Sequence, residues 1–130
     1  MHLFKYVLCE DGFENRIEDG KVQGFNVRMR IPYYRGIPLS MVDDILIIID
    51  GVSYTGGDIF FEVHDGTFTL AEMTTVVRHR WAYGEKAIVK VVKPGGLPPG
   101  EHHVEAYVKL RISYLPIQGF AGGYADLSIS

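Results

Sequence analysis

Glu101-His102-His103-Val104-Glu105-Ala106-Tyr107-Val108-Lys109-Leu110-Arg111-Ile112 is the longest alternating stretch of the chain. His102, Val104, Ala106, Val108, Leu110 and Ile112 fall on one side, and Glu101, His103, Glu105, Tyr107, Lys109 and Arg111 on the other. Successive side chains of a strand point to opposite faces, so a period of two with one apolar set predicts a long strand, half buried against a core. The adjacent histidines must then point apart, which prevents them from sharing one metal ion.

Just upstream, Leu97-Pro98-Pro99-Gly100-Glu101-His102 matches the Leu-x-Pro-Gly-x-Tyr pattern with which immunoglobulin-like sandwiches cross between sheets. His102 stands where that pattern has its tyrosine, and Leu97, Gly100 and His102 are read as a structural corner. Further out, Phe25, Val27, Met29 and Ile31 alternate with Asn26, Arg28 and Arg30. Ile45 to Ile49 is an unbroken apolar, β-branched run, read as a central strand buried on both faces. It stops at Asp50-Gly51, a hairpin signal with Val52 to Tyr54 as the return strand. Ile59, Phe61 and Val63 alternate before a turn at Asp65-Gly66, and Ala87 to Val92 is another strand, stopped by Lys93-Pro94-Gly95-Gly96. Leu70, Met73 and Val77 allow one or two helical turns near Leu70 to Thr75. Two-faced strands at short intervals without a long helix predict an all-β, antiparallel immunoglobulin-like sandwich. With 130 residues, 15 glycines and 6 prolines, one turn-rich domain spanning 1–130 is expected.

Composition removes several functions. The 13 basic and 16 acidic side chains give −3, no footprint for nucleic acid or an anionic membrane. No apolar run approaches the ~20 residues that span a bilayer. The single cysteine, Cys9, can form no intrachain disulfide and fits a reducing, cytoplasmic location. It reads as a half-buried small hydrophobe rather than a reactive thiol.

Motifs that would carry chemistry are weak. His64 and His79 have no His or Cys at ligand spacing, and no metal site is expected in this chain. Asp43-Asp44 reads as a solvated pair guarding a hydrophobic strand. Gly95-Gly96 is followed by Leu-Pro-Pro rather than a helix, which argues against a phosphate-cradling loop. Two aromatic clusters remain, Tyr33-Tyr34-Arg35 between prolines and Arg80-Trp81-Ala82-Tyr83-Gly84. Exposed Trp, Tyr and Arg are the residues of interface hot spots, so Tyr33, Tyr34, Arg35, Trp81 and Tyr83 are the candidate contact or pocket-wall residues. The plainer alternative is that Trp81 caps the core. The tail 114–130, with Asp126 as its only charge, is either a last strand of the domain's own sheet or an arm for another subunit.

Several segments together resemble the small (β) subunit of bacterial C-glycoside deglycosidases. They are Pro32-Tyr33-Tyr34-Arg35-Gly36, Leu39-Ser40-Met41-Val42, Arg80-Trp81 with Gly84-Glu85, Lys93-Pro94-Gly95-Gly96-Leu97, Gly100-Glu101-His102 and Arg111-Ile112-Ser113-Tyr114-Leu115-Pro116. The resemblance covers about Pro32 to Pro116. It implies a β-sandwich bound to a large (α) subunit that resembles sugar phosphate isomerases. That larger subunit would hold a divalent metal, typically manganese, and the acid–base residues. The complex would cleave the C–C bond between sugar and aglycone in 3-keto C-glycosides, the metal polarising the ketone. No catalytic residue of the family maps onto this chain. The alternative function is a free-standing β-sandwich module that binds carbohydrate or protein.

Overall fold

A computed structural model describes residues 8–9, 11–30, 37–64, 66–73, 80–81, 85–110 and 120–129. Strands β1 (Glu14–Glu18) and β2 (Lys21–Met29) form the first hairpin, turned by Asp19 and Gly20, both at positive φ (54° and 75°). After the short β3 (Ile37–Pro38) come β4 (Val42–Ile49) and β5 (Val52–Tyr54). They are joined by Asp50 and Gly51 at φ 50° and 87°. Two successive positive φ values are the requirement of the tight hairpin turn that suits the right-handed twist of paired strands, which is why Asp-Gly occurs at both places.

The chain continues through β6 (Ile59–Val63), β7 (Gly66–Thr69), a single helical turn α1 (Leu70–Met73), β8 (Arg80–Trp81), β9 (Ala87–Val92), β10 (Gly100–Leu110) and β11 (Phe120–Ile129). The turn α1 begins at a reciprocal cap. Thr69 Oγ1 accepts the Glu72 N–H at 3.1 Å, and Glu72 Oε1 accepts the Thr69 N–H at 2.8 Å.

Among the described residues the strands form a five-stranded sheet, β1-β2-β9-β6-β7, and a four-stranded sheet, β11-β10-β4-β5. The ribbon β3-β8 stands apart from both. Taken as A-B-E-D and G-F-C-C′, with β7 added beyond D, this is the strand order of an immunoglobulin-type sandwich. All pairings are antiparallel. The expected all-β sandwich with no more than a helical turn or two is the observed fold.

The core is built from the inward residue of every second position: Phe25, Val27 and Met29 of β2, Ile59 and Phe61 of β6, Val89 and Val91 of β9, and Val104, Ala106 and Val108 of β10 are fully buried. Each large aliphatic side chain so buried contributes on the order of 1.5–3 kcal/mol. The run Ile45 to Ile49 differs from its expectation. Ile45, Ile47 and Ile49 are buried, but Leu46 and Ile48 lie half-buried on the outer face. The strand is interior to its sheet, yet among the described residues no third layer covers that face. Of the tail, residues 120–129 form the last strand of the four-stranded sheet, paired with β10 from Gly100 to Lys109.

Candidate functional site

The corner is built by residues far apart in sequence. Asn15 of β1 clamps the peptide of Leu97: its Oδ1 accepts the Leu97 N–H and its Nδ2 donates to the Leu97 carbonyl, both at 2.9 Å. The preceding Gly96 has φ +66°, and a Cβ there would collide with the Asn15 side chain, so this position needs glycine twice over. Leu97 and His102 are buried, and Gly100 starts β10 at φ +126°.

His102 fills the tyrosine slot with a hydrogen bond of its own. Its Nε2 lies 2.7 Å from the Pro98 carbonyl, four residues upstream, and its Nδ1 lies 2.6 Å from Asp50 Oδ2. A carbonyl can only accept, so Nε2 carries a proton. Asp50 is held below the usual carboxylate range by the hydrogen bond from His102 and by the His103 N–H on its other oxygen (2.8 Å), so it is ionised and accepts as well. Two acceptors require two ring protons, and the corner holds an imidazolium. The His102 pKa accordingly lies above its ordinary 6.5, raised first by Asp50 and then by the Pro98 carbonyl, against the opposing effect of burial.

A raised histidine pKa stabilises the fold fully below the unfolded value near 6.5, and that stability is lost as pH rises through the folded pKa. The lowered Asp50 pKa works from the other side, its contribution being lost as pH falls through the folded value. The melting temperature is therefore expected to fall as pH rises from about 6.5 through the raised folded pKa of His102. His103, raised by Asp126, acts in the same direction. His102→Gln keeps a donor for Pro98 but cannot titrate, so its melting temperature should depend less on pH. Identical pH profiles for the two proteins would show that the corner carries no ion pair.

The aromatic clusters are placed unequally. Tyr33, Tyr34, Arg35 and Tyr83 lie outside the described residues. Trp81 is fully buried, its ring 5.0 Å from Phe61 in an edge-to-face contact and its indole N–H donating to the Glu85 carbonyl at 2.9 Å. Of its two readings the core cap is the observed one, which corrects the expectation of an exposed indole: a large apolar ring gains most from complete removal from water. Described residues in or next to the two clusters are paired with each other. Ile37 pairs with Trp81 and Pro38 with Arg80. The described chain therefore resumes after 31–36 directly beside the point where it enters 82–84. Past that segment, the Glu85 carboxylate takes the His64 N–H at 2.8 Å and lies 3.5 Å from His64 Nδ1.

Elsewhere the polar groups are engaged with one another. Asp11 pairs with Lys86 (3.1 Å) and Arg28 (3.5 Å), and the Lys86 hydrogen bond lowers its pKa. A shallow groove of about 390 Å³ on the five-stranded sheet lies between Arg16, Phe60, Thr67 and Lys90. Its cations are already occupied, Arg16 by Glu18 at 3.3 Å and Lys90 by Glu62 at 2.7 Å. On the four-stranded sheet the Tyr107 hydroxyl donates to Glu105 at 2.5 Å, and burial with that bond pushes its pKa up to about 12. Burial likewise raises the Cys9 thiol. A phenol and a thiol shifted in this direction are poor bases and nucleophiles at neutral pH. Among the described residues no group of three or more His, Cys, Asp or Glu side chains is arranged to hold a metal ion. No helix among them is long and apolar enough to cross a membrane.

Comparison with known proteins gives this arrangement a context. The sequence profile of the family described as C-glycoside deglycosidase beta subunit matches residues 3–114. The C-glycoside deglycosidase beta subunit of Eubacterium cellulosolvens is 31% identical over 113 residues, 86% of this chain and 77% of the relative. The 3'-dehydrocarminate deglycosidase beta subunit of a Microbacterium species is 34% identical over 97 residues, 74% of this chain and 72% of its own. A C-glycoside deglycosidase beta subunit of Arthrobacter globiformis is 30% identical over 97 residues, 73% of each chain. A beta subunit implies a partner subunit, and the profile spans both the corner and the β3-β8 ribbon. The chain belongs to the C-glycoside deglycosidase beta subunit family.

Proposed function

We propose that this chain is the non-catalytic small subunit of a complex that cleaves the C–C glycosidic bond of 3-keto C-glycosides. Family membership carries the reading, and the name of the Microbacterium relative, which specifies a 3'-dehydro compound, supports an oxidised substrate. In such a substrate the ketone acidifies the neighbouring sugar C–H. A base removes that proton and the C–H electron pair forms a C=C bond within the sugar. The bond to the aglycone then breaks, its electron pair leaving with the aglycone, which takes up a proton. The base belongs, on this reading, to a large subunit resembling sugar phosphate isomerases, and so does the divalent metal, manganese. Among the described residues of the small subunit no group of three or more His, Cys, Asp or Glu side chains is arranged to hold that metal. On the same reading the complex is cytoplasmic, which the lone, buried Cys9 supports because it suits a reducing compartment.

This chain's part is to hold a contact surface. The β3-β8 ribbon brings together the entries to both aromatic segments, and the buried Trp81 fixes that ribbon to the core. Co-expression with the large subunit tests the reading. Co-elution, and loss of 3-keto C-glucoside cleavage without this chain, are expected; separate elution with undiminished cleavage would refute it. Arg35→Ala should weaken assembly or turnover more than Arg28→Ala. Arg28 sits on an outward strand position beside Asp11, where substitution usually costs under ~0.5 kcal/mol. Equal, negligible effects of both substitutions would remove the special role of the Tyr33–Arg35 segment.

A further inference from the structure

The two sheets have four edge strands, and three of them are blunted. Strand β1 is five residues long, carries Glu14, Arg16 and Glu18, and is bulged between Arg16 and Ile17. Strands β5 and β7 are only three and four residues long. Short length, charge and bulges are the usual protection of a sheet edge against pairing with another chain. Strand β11 is neither short nor bulged. It runs ten residues, Phe-Ala-Gly-Gly-Tyr-Ala-Asp-Leu-Ser-Ile, in unbroken register with β10. Its one charge, Asp126, is already paired with His103 at 2.9 Å.

The hydrogen bonds around Asp50 set the phase of this edge. The His103 N–H donates to Asp50 Oδ1, and its carbonyl accepts the Asp50 N–H at 2.9 Å, so the main-chain groups of His103 face the β4 side. Main-chain direction alternates along a strand, and His102 and Val104 therefore face β11, where they meet Leu127 and Ala125. The alternate positions Gly122, Asp126 and Ser128 turn their N–H and C=O groups away from β10. Among the described residues no strand lies on that side.

We infer that the outer edge of β11 pairs antiparallel with β11 of a second copy of this chain, joining two four-stranded sheets across a two-fold axis. Two observations favour a second copy over the large subunit. The family profile ends at residue 114, so β11 lies outside the segment that the family model matches. The strand is also self-compatible. With the axis at Ala125, Gly122 of each copy faces Ser128 of the other, and the two Asp126 carboxylates are out of direct opposition. Ala125 meets Ala125, small enough for close approach of the sandwiches. This contact is independent of the heteromeric one proposed above.

The mass of the purified chain and of the co-expressed complex, measured by light scattering and sedimentation at tens of micromolar, tests the pairing. Wild type should contain two copies of this chain per particle. Ser128→Pro removes an amide that points away from β10, so it should leave the circular dichroism and melting temperature unchanged while weakening self-association at least tenfold. Should the proline variant melt earlier, Ser128→Lys places a charge at the same edge without touching the amide and should have the same effect on mass. A monomeric wild type overturns the inference, as do variants that self-associate like wild type. Loss of the large subunit from Ser128→Pro, with no change in self-association, would assign the edge to that subunit instead and equally overturn it.

Discussion

Replacing Trp81 by alanine is expected to cost about 3–5 kcal/mol of folding stability, the range for deleting a large buried aromatic ring. In a chain of this size that corresponds to a melting temperature lower by about 10–20 °C. The indole is fully buried, packs edge-on against Phe61 and fixes β8, which in turn pairs with β3. Its removal leaves a cavity under the ribbon and frees the Glu85 carbonyl of its donor. Trp81→Phe keeps most of the apolar ring and loses only the indole hydrogen bond to the Glu85 carbonyl, so it should cost less, about 1 kcal/mol for that bond. Thermal melts of both variants, with co-elution of the large subunit, separate the two roles weighed for this residue. If Trp81→Ala melts like wild type but no longer binds its partner, the indole acts at the contact and the core assignment is wrong.

Gly24→Ala should be comparably damaging, at about 3 kcal/mol, the upper part of the usual overpacking range. Gly24 sits in β2 between Arg16 of β1 and Val92 of β9. A Cβ there would run into the Val91 carbonyl oxygen, and would also lie 2.9 Å from the Arg16 guanidinium and 3.0 Å from the Lys93 nitrogen. A side chain could rotate away, but a carbonyl in a sheet ladder cannot move without breaking the pairing of β2 with β9. Gly57→Ala is the matched control, because nothing lies within 4 Å of its new methyl group. It should fall within about 0.5 kcal/mol of wild type. Equal denaturation midpoints for the two alanine variants would mean that β2 and β9 are held less rigidly than the register indicates.

The elements legible in the sequence are those whose side chains alternate by polarity. Ala87–Val92 and the start of β10 stand where the pattern put them, and Asp50-Gly51 makes the expected turn. Strand β1 escaped because Glu-Asn-Arg-Ile-Glu is a polar edge with no buried face, burial falling elsewhere in its sheet. Its hairpin was signalled by Asp19-Gly20, a local cue that the apolar pattern overshadowed, whereas the helical turn Leu70–Met73 falls within the Leu70 to Thr75 span that the apolar spacing allowed. The Asn15 clamp on Leu97 spans 82 residues, and no local pattern can announce it.

Sequence alone determined the all-β sandwich, the corner before His102 and the family, because periodicity and short motifs are local properties of the chain. Tertiary structure alone decided that Trp81 is a core residue, that Leu46 and Ile48 face outward, and that His102 is charged. It also decided that, among the described residues, no strand lies beyond β11. Each of these depends on which distant residue supplies burial, a carboxylate or a neighbouring strand, and packing, not sequence order, brings those partners together.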